Sequence, residues 1–381
     1  MKIAWLGNLC NVGFNNVRLL NSAGVDAELY LPAVRLKRPG VSNPEHEYEG
    51  ASREHFLRPY NRDYLNYLLN RIGVPGPLST HEHAVGRSVS LVQAQTCSEI
   101  SALRIRRRYG VPYAALATGA DLSEIAPGRS PLSRLYRSAL KGSSHLFLTN
   151  IDQFATLDAL GLNLPSVSFL PFSIGMDRFE PRPNRPGAET VFFSVARLDW
   201  TSTSRKSTKS NDIFLKGFAR FVREREIGNY KLWIADWGVD RQATRELVDS
   251  LGIGRLVSYL EPGNKQAFYA SLARAHVVVD QFKLGAVGLA ALESMAMSRP
   301  VFACCNQGLA QKAYGEDIPV INCANEEEVS AALATITPAA VEEMARTVYD
   351  WVGRHHSESG IAKLLIDTYR KILAAGEKAN R

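Results

Sequence analysis

Cysteine is scarce in this chain. The 381 residues contain five, Cys10, Cys97, Cys304, Cys305 and Cys323. They are odd in number and scattered, with no C-x-x-C pair and no zinc spacing, which excludes a disulfide framework and points to thiols in a reducing, cytoplasmic compartment. Long apolar runs are also missing. No stretch approaches the ~18 residues of a membrane-spanning helix. The apolar residues 3–6 are cut off by Gly7 and Asn8, so residues 1–16 lack a signal-peptide core. Neither Gly-x-Ser-x-Gly nor a Walker A motif occurs. His81-Glu82-His83 has no companion ligands at metal spacing, so no metal and no other cofactor is expected. A large excess of one charge is absent too: 45 Lys and Arg against 38 Asp and Glu leave a net charge of +7. That permits an anionic ligand or peripheral contact with an anionic membrane face, and it does not call for nucleic acid.

With 45% hydrophobic and 22% charged residues, the composition is that of a globular protein, and the length suggests two domains. The pattern is strand–turn–helix repeated. Strands are expected at 2–7, 27–31, 89–94, 112–117, 145–149 and 167–170, with helices between them near 16–23, 98–109, 131–141 and 153–160. A glycine follows each helix (Gly24, Gly110, Gly142, Gly161), the mark of a left-handed C-cap. Residues 35–86 read as an insertion or long loop with one helix near 64–72. Glu-Pro-Arg-Pro-Asn-Arg-Pro-Gly at 180–187 belongs in neither helix nor sheet and reads as a stiff link. The alternation then restarts. Strands are expected at 191–195, 231–235, 256–260, 276–279 and 301–303, and helices at 211–223, 242–251, 265–274, 288–297, from 326, and 360–374. The expected class is α/β, with two Rossmann-like domains facing each other across a ligand cleft at the carboxyl ends of their strands.

Five constellations could carry chemistry, each with a plain structural alternative. Gly285-Ala286-Val287-Gly288-Leu289 leads into a helix bearing Glu293. Such a turn brings backbone N–H groups to an anion, and a carboxylate there suits a ribose diol; the alternative is tight packing and a solvated Glu. Arg197, Lys206 and Lys209 lie between a strand and the next helix, where cations can clamp a diphosphate. The alternative is a solvated loop, but a Lys at a helix start opposes the helix dipole, so structure alone does not favour Lys209 there. The turn 7–16, including Gly13, can present backbone N–H groups or can be purely structural. Asp121, in Thr118-Gly119-Ala120-Asp121, suits ligand hydrogen bonding or a turn. Trp237, after another strand, could wall a base or fill the core. The basic run Arg104, Arg106, Arg107 and Arg108 is read as a solvated helix face.

Several stretches resemble family-4-type retaining glycosyltransferases of the GT-B fold (glycosyl transferases group 1). Residues 172–179 are similar to that family's N-G-V-D-x-x-x-F, Val195-Ala196-Arg197-Leu198 to V-G-R-L, Lys209-Ser210-Asn211-Asp212 to K-G-x-D, and residues 292–301 to L-E-A-M-A-x-G-x-P-V. The resemblance implies an acceptor-side domain over 1–175, a nucleotide-sugar domain over 176–355, and a closing helix, 356–381, packing back towards the first. It implies that Arg197 and Lys209 bind the donor diphosphate, that Glu293 binds the ribose, and that the backbone of 286–289 lines phosphate and sugar. Two departures stand out. The family's E-x7-E pattern has Glu where this chain has Gly285, and a His usual in the first-domain loop is missing, with Asp121 as the candidate for part of its role.

The expected activity is transfer of a sugar from a nucleoside diphosphate to a hydroxyl of a carbohydrate, lipid-linked or other acceptor, with retention and without metal. Its setting would be surface polysaccharide, glycolipid or glycoconjugate synthesis. The rivals are a nucleotide-sugar epimerase and a non-catalytic nucleotide-sugar binder. Residues 1–175 carry 18 basic and 13 acidic side chains, an excess that fits an anionic acceptor or lipid carrier.

Overall fold

A computed structural model describes residues 1–37, 42–61, 63–74, 76–119, 121–202, 208–225 and 229–379. The chain forms two compact units. One comprises Met1–Ser173 with Glu358–Arg381, the other Ile174–Ser357.

The first unit is built on seven strands: β1 (Lys2–Leu6), β2 (Asp26–Pro32), β3 (Leu57–Tyr60), β4 (Leu91–Gln95), β5 (Tyr113–Ala117), β6 (His145–Leu148) and β7 (Val167–Phe169). They lie in the order β3-β2-β1-β4-β5-β6-β7, and every pair is parallel. Central strands of such a sheet are covered on both faces and read as continuous apolar runs. β4 and β5 are fully buried, yet β4 carries Gln93 and Gln95. Their amide oxygens are satisfied locally: Trp5 Nε1 donates to Gln95 Oε1 at 3.0 Å, and Tyr369 Oη donates to Gln93 Oε1 at 3.0 Å. Gln93 Nε2 donates to the Ala114 carbonyl at 3.3 Å, whereas Gln95 Nε2 is buried without a partner among the described residues. Tyr369 belongs to the closing helix Glu358–Ala379, whose Ile361, Leu365 and Ile372 enter the same core as Trp5, Phe14 and Phe147.

The second unit repeats the plan with β8 (Thr190–Ser194), β9 (Tyr230–Ala235), β10 (Val257–Leu260), β11 (Val277–Val279), β12 (Val301–Ala303) and β13 (Ile321–Asn322). The order is β10-β9-β8-β11-β12-β13, again all parallel. Helix Asn211–Arg225 buries Phe214, Phe218, Phe221 and Val222, the one-face stripe that its 3.6-residue period predicts.

Both orders reverse direction beside the first strand of the unit, between β1 and β4 and between β8 and β11. Loops leave such a point in opposite directions and open a crevice at the strands' carboxyl ends.

Several expectations are corrected. Residues 35–86 hold the expected helix, Tyr64–Arg71, but also β3 and the start of helix Thr80–Ser88, which were read as loop. β3 is an edge strand, where Pro59 costs no ladder bond. Helices Gln307–Tyr314 and Pro338–His355 and strand β13 have no counterpart in the sequence reading. Gly110 and Gly161 take the left-handed C-cap, but Gly142 does not: its φ is −78°. A Cβ there would stand 2.8 Å from both Leu103 Cδ1 and the Tyr113 hydroxyl, so close packing demands the glycine. The Pro-rich stretch 180–187 lies within the second unit, where Asn184 Nδ2 donates to the Ala275 carbonyl and Arg299 Nη1 to the Arg182 carbonyl.

Candidate functional site

The residues singled out in the second unit converge on the β8/β11 switch point. Arg197 follows β8, Lys209 immediately precedes helix Asn211–Arg225, and residues 280–289 lead from β11 into helix Leu289–Ala296. Asp199, fully buried, ties the first two together. It accepts from Arg197 Nη2 at 2.8 Å, its carbonyl accepts from the Lys209 backbone N–H at 2.6 Å, and its own N–H donates to Asn211 Oδ1. Arg197 is thereby held at the strand's end with its side chain about one-third exposed. An aligned guanidinium of that kind is ready for an oxyanion.

Lys209 reaches across to the loop after β11. Its Nζ donates to Gln281 Oε1, and Gln281 Nε2 donates in turn to the Ala286 carbonyl at 2.5 Å. Asp280, buried, accepts from the Gly288 N–H at 2.9 Å. Burial pushes the Asp280 carboxyl above its usual range, against the pull of Lys209 and of the Gly288 N–H. The 285–289 turn is therefore fastened from below by Asp280 and Gln281. The Gly288 N–H, expected to face an anion, is committed to Asp280. The first-turn N–H groups of helix Leu289–Ala296 and its positive dipole end remain for that job. Ala286 and Val287 are buried, and Gly285 has φ +68°, a conformation that a side chain such as Glu takes only with strain.

Glu293 is buried in the same helix. Its carboxylate is held by Lys265 Nζ at 2.6 Å and by Tyr269 Oη at 3.1 Å, so it is neither solvated nor randomly oriented. These two bonds fix its orientation. Trp237 is 39% exposed, which removes the core alternative. Beside it Asp236 receives Arg241 and Arg245 at 2.7 and 2.5 Å; the Arg241 hydrogen bond leads in holding its carboxyl below the usual range. Lys206 lies outside the described residues.

Two candidates sit in the first unit. Gly13 is buried at the start of helix Val12–Ser22; a Cβ there would stand 2.3 Å from the Gly7 carbonyl oxygen, so close packing accounts for it. Asp121 is buried, and its oxygens accept from the backbone N–H groups of Thr118, Gly119 and Leu122. It organises its own loop. Burial pushes its carboxyl up, against those three N–H groups.

The sequence reading missed Asp199, Lys265, Tyr269, Asp280 and Gln281. The signal for the last two was there: a buried polar pair directly after an all-valine strand.

A pair of doubly wound α/β units with this strand order defines a class, the GT-B architecture. No family model matches the chain, and no curated protein matches it. Solved structures do match. Sucrose-phosphate synthase from Thermosynechococcus elongatus aligns with a TM-score of 0.70 at 15% identity, over 98% of this chain and 100% of that one. Anabaena HepE in complex with UDP and glucose aligns with a TM-score of 0.68 at 12% identity, over 97% and 100%. The lipopolysaccharide outer core galactosyltransferase WaaB, in its apo form, aligns with a TM-score of 0.60 at 13% identity, over 96% and 99%. The chain shares the two-unit α/β fold of these glycosyltransferases. Among the described residues no helix is long and apolar enough to cross a membrane.

Proposed function

We propose that the protein is a retaining glycosyltransferase that moves a sugar from a nucleoside-diphosphate sugar to a hydroxyl of a carbohydrate or lipid-linked acceptor. The observation that carries this reading is the convergence of Arg197, Lys209 and a helix N-terminus on the β8/β11 switch point. The HepE structures, which hold UDP and glucose or UDP-glucose, support a donor of that chemistry. Arg197 and Lys209 would clamp the diphosphate and Glu293 the ribose, with Trp237 beside the base and Lys206 close to the phosphates. The 285–289 turn would line the sugar.

Nothing in the sequence offers a nucleophile for double displacement, and Gly285 replaces the family's first Glu. A front-face course fits better. The bond from the anomeric carbon to the diphosphate oxygen breaks as the acceptor oxygen arrives on the same face. The departing oxygen takes the acceptor's proton. Arg197 and Lys209 meet the negative charge that develops, which is the ground for reading the site as metal-independent. Asp121 would hold the 118–122 loop in shape. Peripheral attachment to a membrane face and a place in polysaccharide or glycolipid synthesis belong to the same proposal.

The test is release of nucleoside diphosphate from a panel of nucleotide sugars, with the anomer of the transferred or hydrolysed sugar read by NMR. Wild-type protein should turn over one donor with retention. Arg197→Ala and Lys209→Ala should each lose ~10²–10³ in rate, the usual cost of one such electrostatic contact. Donor binding without any turnover would overturn the enzyme reading in favour of a binder, and an inverted product would overturn the stereochemistry.

A further inference from the structure

The arginine run on helix Glu99–Tyr109 is not used by the proposed reaction. Arg104 is buried against Glu82, so the solvated-face reading fails for it; Arg106, Arg107 and Arg108 are exposed at the opposite end of the first unit's sheet, where β4 to β7 begin. There Arg106 lines two adjoining hollows of about 950 and 760 Å³. Lys371 from the closing helix lines the first. Arg107 and Lys141 line the second. Among the described residues neither hollow is lined by an Asp or a Glu. Among the described residues none of these four cations forms an ion pair with a carboxylate.

Helix dipoles explain part of this. Arg106, Arg107 and Lys141 sit in last turns, and Arg106 donates to the Gly142 carbonyl. Two helix C-termini supply roughly one negative charge together. Four cations exceed that, and Lys371 lies in the body of a helix, where no dipole end calls for it.

The floor adds hydroxyl donors. His145 is buried between Ser166 and Ser168, with Nδ1 2.9 Å from one hydroxyl and Nε2 2.8 Å from the other. Burial, and then Lys371, push the ring's pKa down to about 4, so it is neutral at pH 7. A neutral imidazole donates from one nitrogen and accepts at the other. Whichever tautomer is present, the serine that accepts from the ring keeps its own O–H for another acceptor. Ser90 and Ser144 line the same hollow.

We propose that this groove binds a phosphate-bearing small molecule, held by Arg106, Lys371 and the Ser166 or Ser168 hydroxyl. Arg107 and Lys141 would take a second anionic group. The inference is independent of the donor site, which lies in the other unit. The groove's concavity and volume suit a discrete ligand better than a flat lipid surface.

The test is titration with sodium pyrophosphate at constant ionic strength, reading the unfolding midpoint. A ligand of the native state raises it by mass action. A saturable rise is expected in wild type and in Arg197→Ala/Lys209→Ala, which removes the proposed donor clamp. Adding Arg106→Gln/Lys371→Gln to Arg197→Ala/Lys209→Ala should weaken that variant's response at least ~10-fold, as expected for losing charge-assisted hydrogen bonds. If that variant folds poorly in chloride alone, Lys141→Gln/Lys371→Gln, which spares the Gly142 cap, serves instead with the same expectation. No saturable rise overturns the proposal. So does a rise that vanishes in Arg197→Ala/Lys209→Ala, or one that the added groove substitutions leave unchanged. Co-sedimentation with phosphatidylglycerol vesicles that needs Arg106 and Lys371, without any response to pyrophosphate, also overturns it and assigns the groove to an anionic surface.

Discussion

Ser298 shows how one residue can stand out against its surroundings. It occupies the place of the glycine in the resembled L-E-A-M-A-x-G-x-P-V pattern and has φ +60°. That conformation costs a non-glycine residue roughly 1–2 kcal/mol. Its hydroxyl is buried without a partner. Ser298→Gly removes both penalties and adds only the entropy cost of glycine, roughly 0.5–1 kcal/mol. The variant should be more stable by about 0.5–1 kcal/mol, seen as a higher thermal midpoint by calorimetry; a lower midpoint would contradict the argument. At this scale the sequence was informative about residues whose type and place are unusual, such as Arg197 directly after a strand and Lys209 at a helix start. It was silent about their supports. Gln281 stands 72 positions from Lys209, and Lys265 stands 28 from Glu293. Only the fold brings them together: β11 lies beside β8, which sets Gln281 against Lys209.

Among the elements, helix Glu99–Tyr109 carries an internal conflict. Glu99 is in its first turn, where the dipole favours a carboxylate by about 0.3–1 kcal/mol. The side chain is nevertheless fully buried, and among the described residues its oxygens find no hydrogen-bond partner of good geometry. Burial wins, and with the nearby Asp121 it pushes the Glu99 carboxyl well above the usual range. A carboxyl with a raised folded pKa binds its proton more tightly in the folded chain. Its contribution to stability is intact below the unfolded pKa and drains away as pH rises towards the folded value. Wild-type protein should therefore lose stability as pH rises above the ordinary carboxylate range, by urea unfolding. Glu99→Gln should flatten that fall without abolishing it, since Asp121 shifts the same way. Parallel curves for the two proteins would refute the assignment. The elements themselves were legible wherever alternation and glycine stops were clean. β3 was not, because Arg58 and Pro59 break its pattern at a sheet edge. Helices Thr80–Ser88 and Pro338–His355 had readable starts, a Ser79/Glu82 capping box and a Thr337 cap before Pro338. They were hidden by the polar composition around them.

At the scale of the whole molecule, one strand order is used twice, and the same reversal creates a crevice in each unit. The two-unit α/β class was legible because every β-turn-α repeat could be counted. The chemistry follows from which crevice carries cations. In the second unit Arg197 and Lys209 flank the reversal. In the first, backbone and amide groups do, with Arg35 lining the hollow beside them, and a second cluster of cations lies at the far end of the sheet. The most direct test is calorimetric titration of uridine and other nucleoside diphosphates into the intact protein and into Arg197→Ala/Lys209→Ala. One nucleoside diphosphate should bind the wild type, and the double variant should bind it at least ~10²-fold more weakly, as expected for losing two charge-assisted clamps. Equal binding by both proteins, or no binding by either, would contradict a donor site at the β8/β11 reversal.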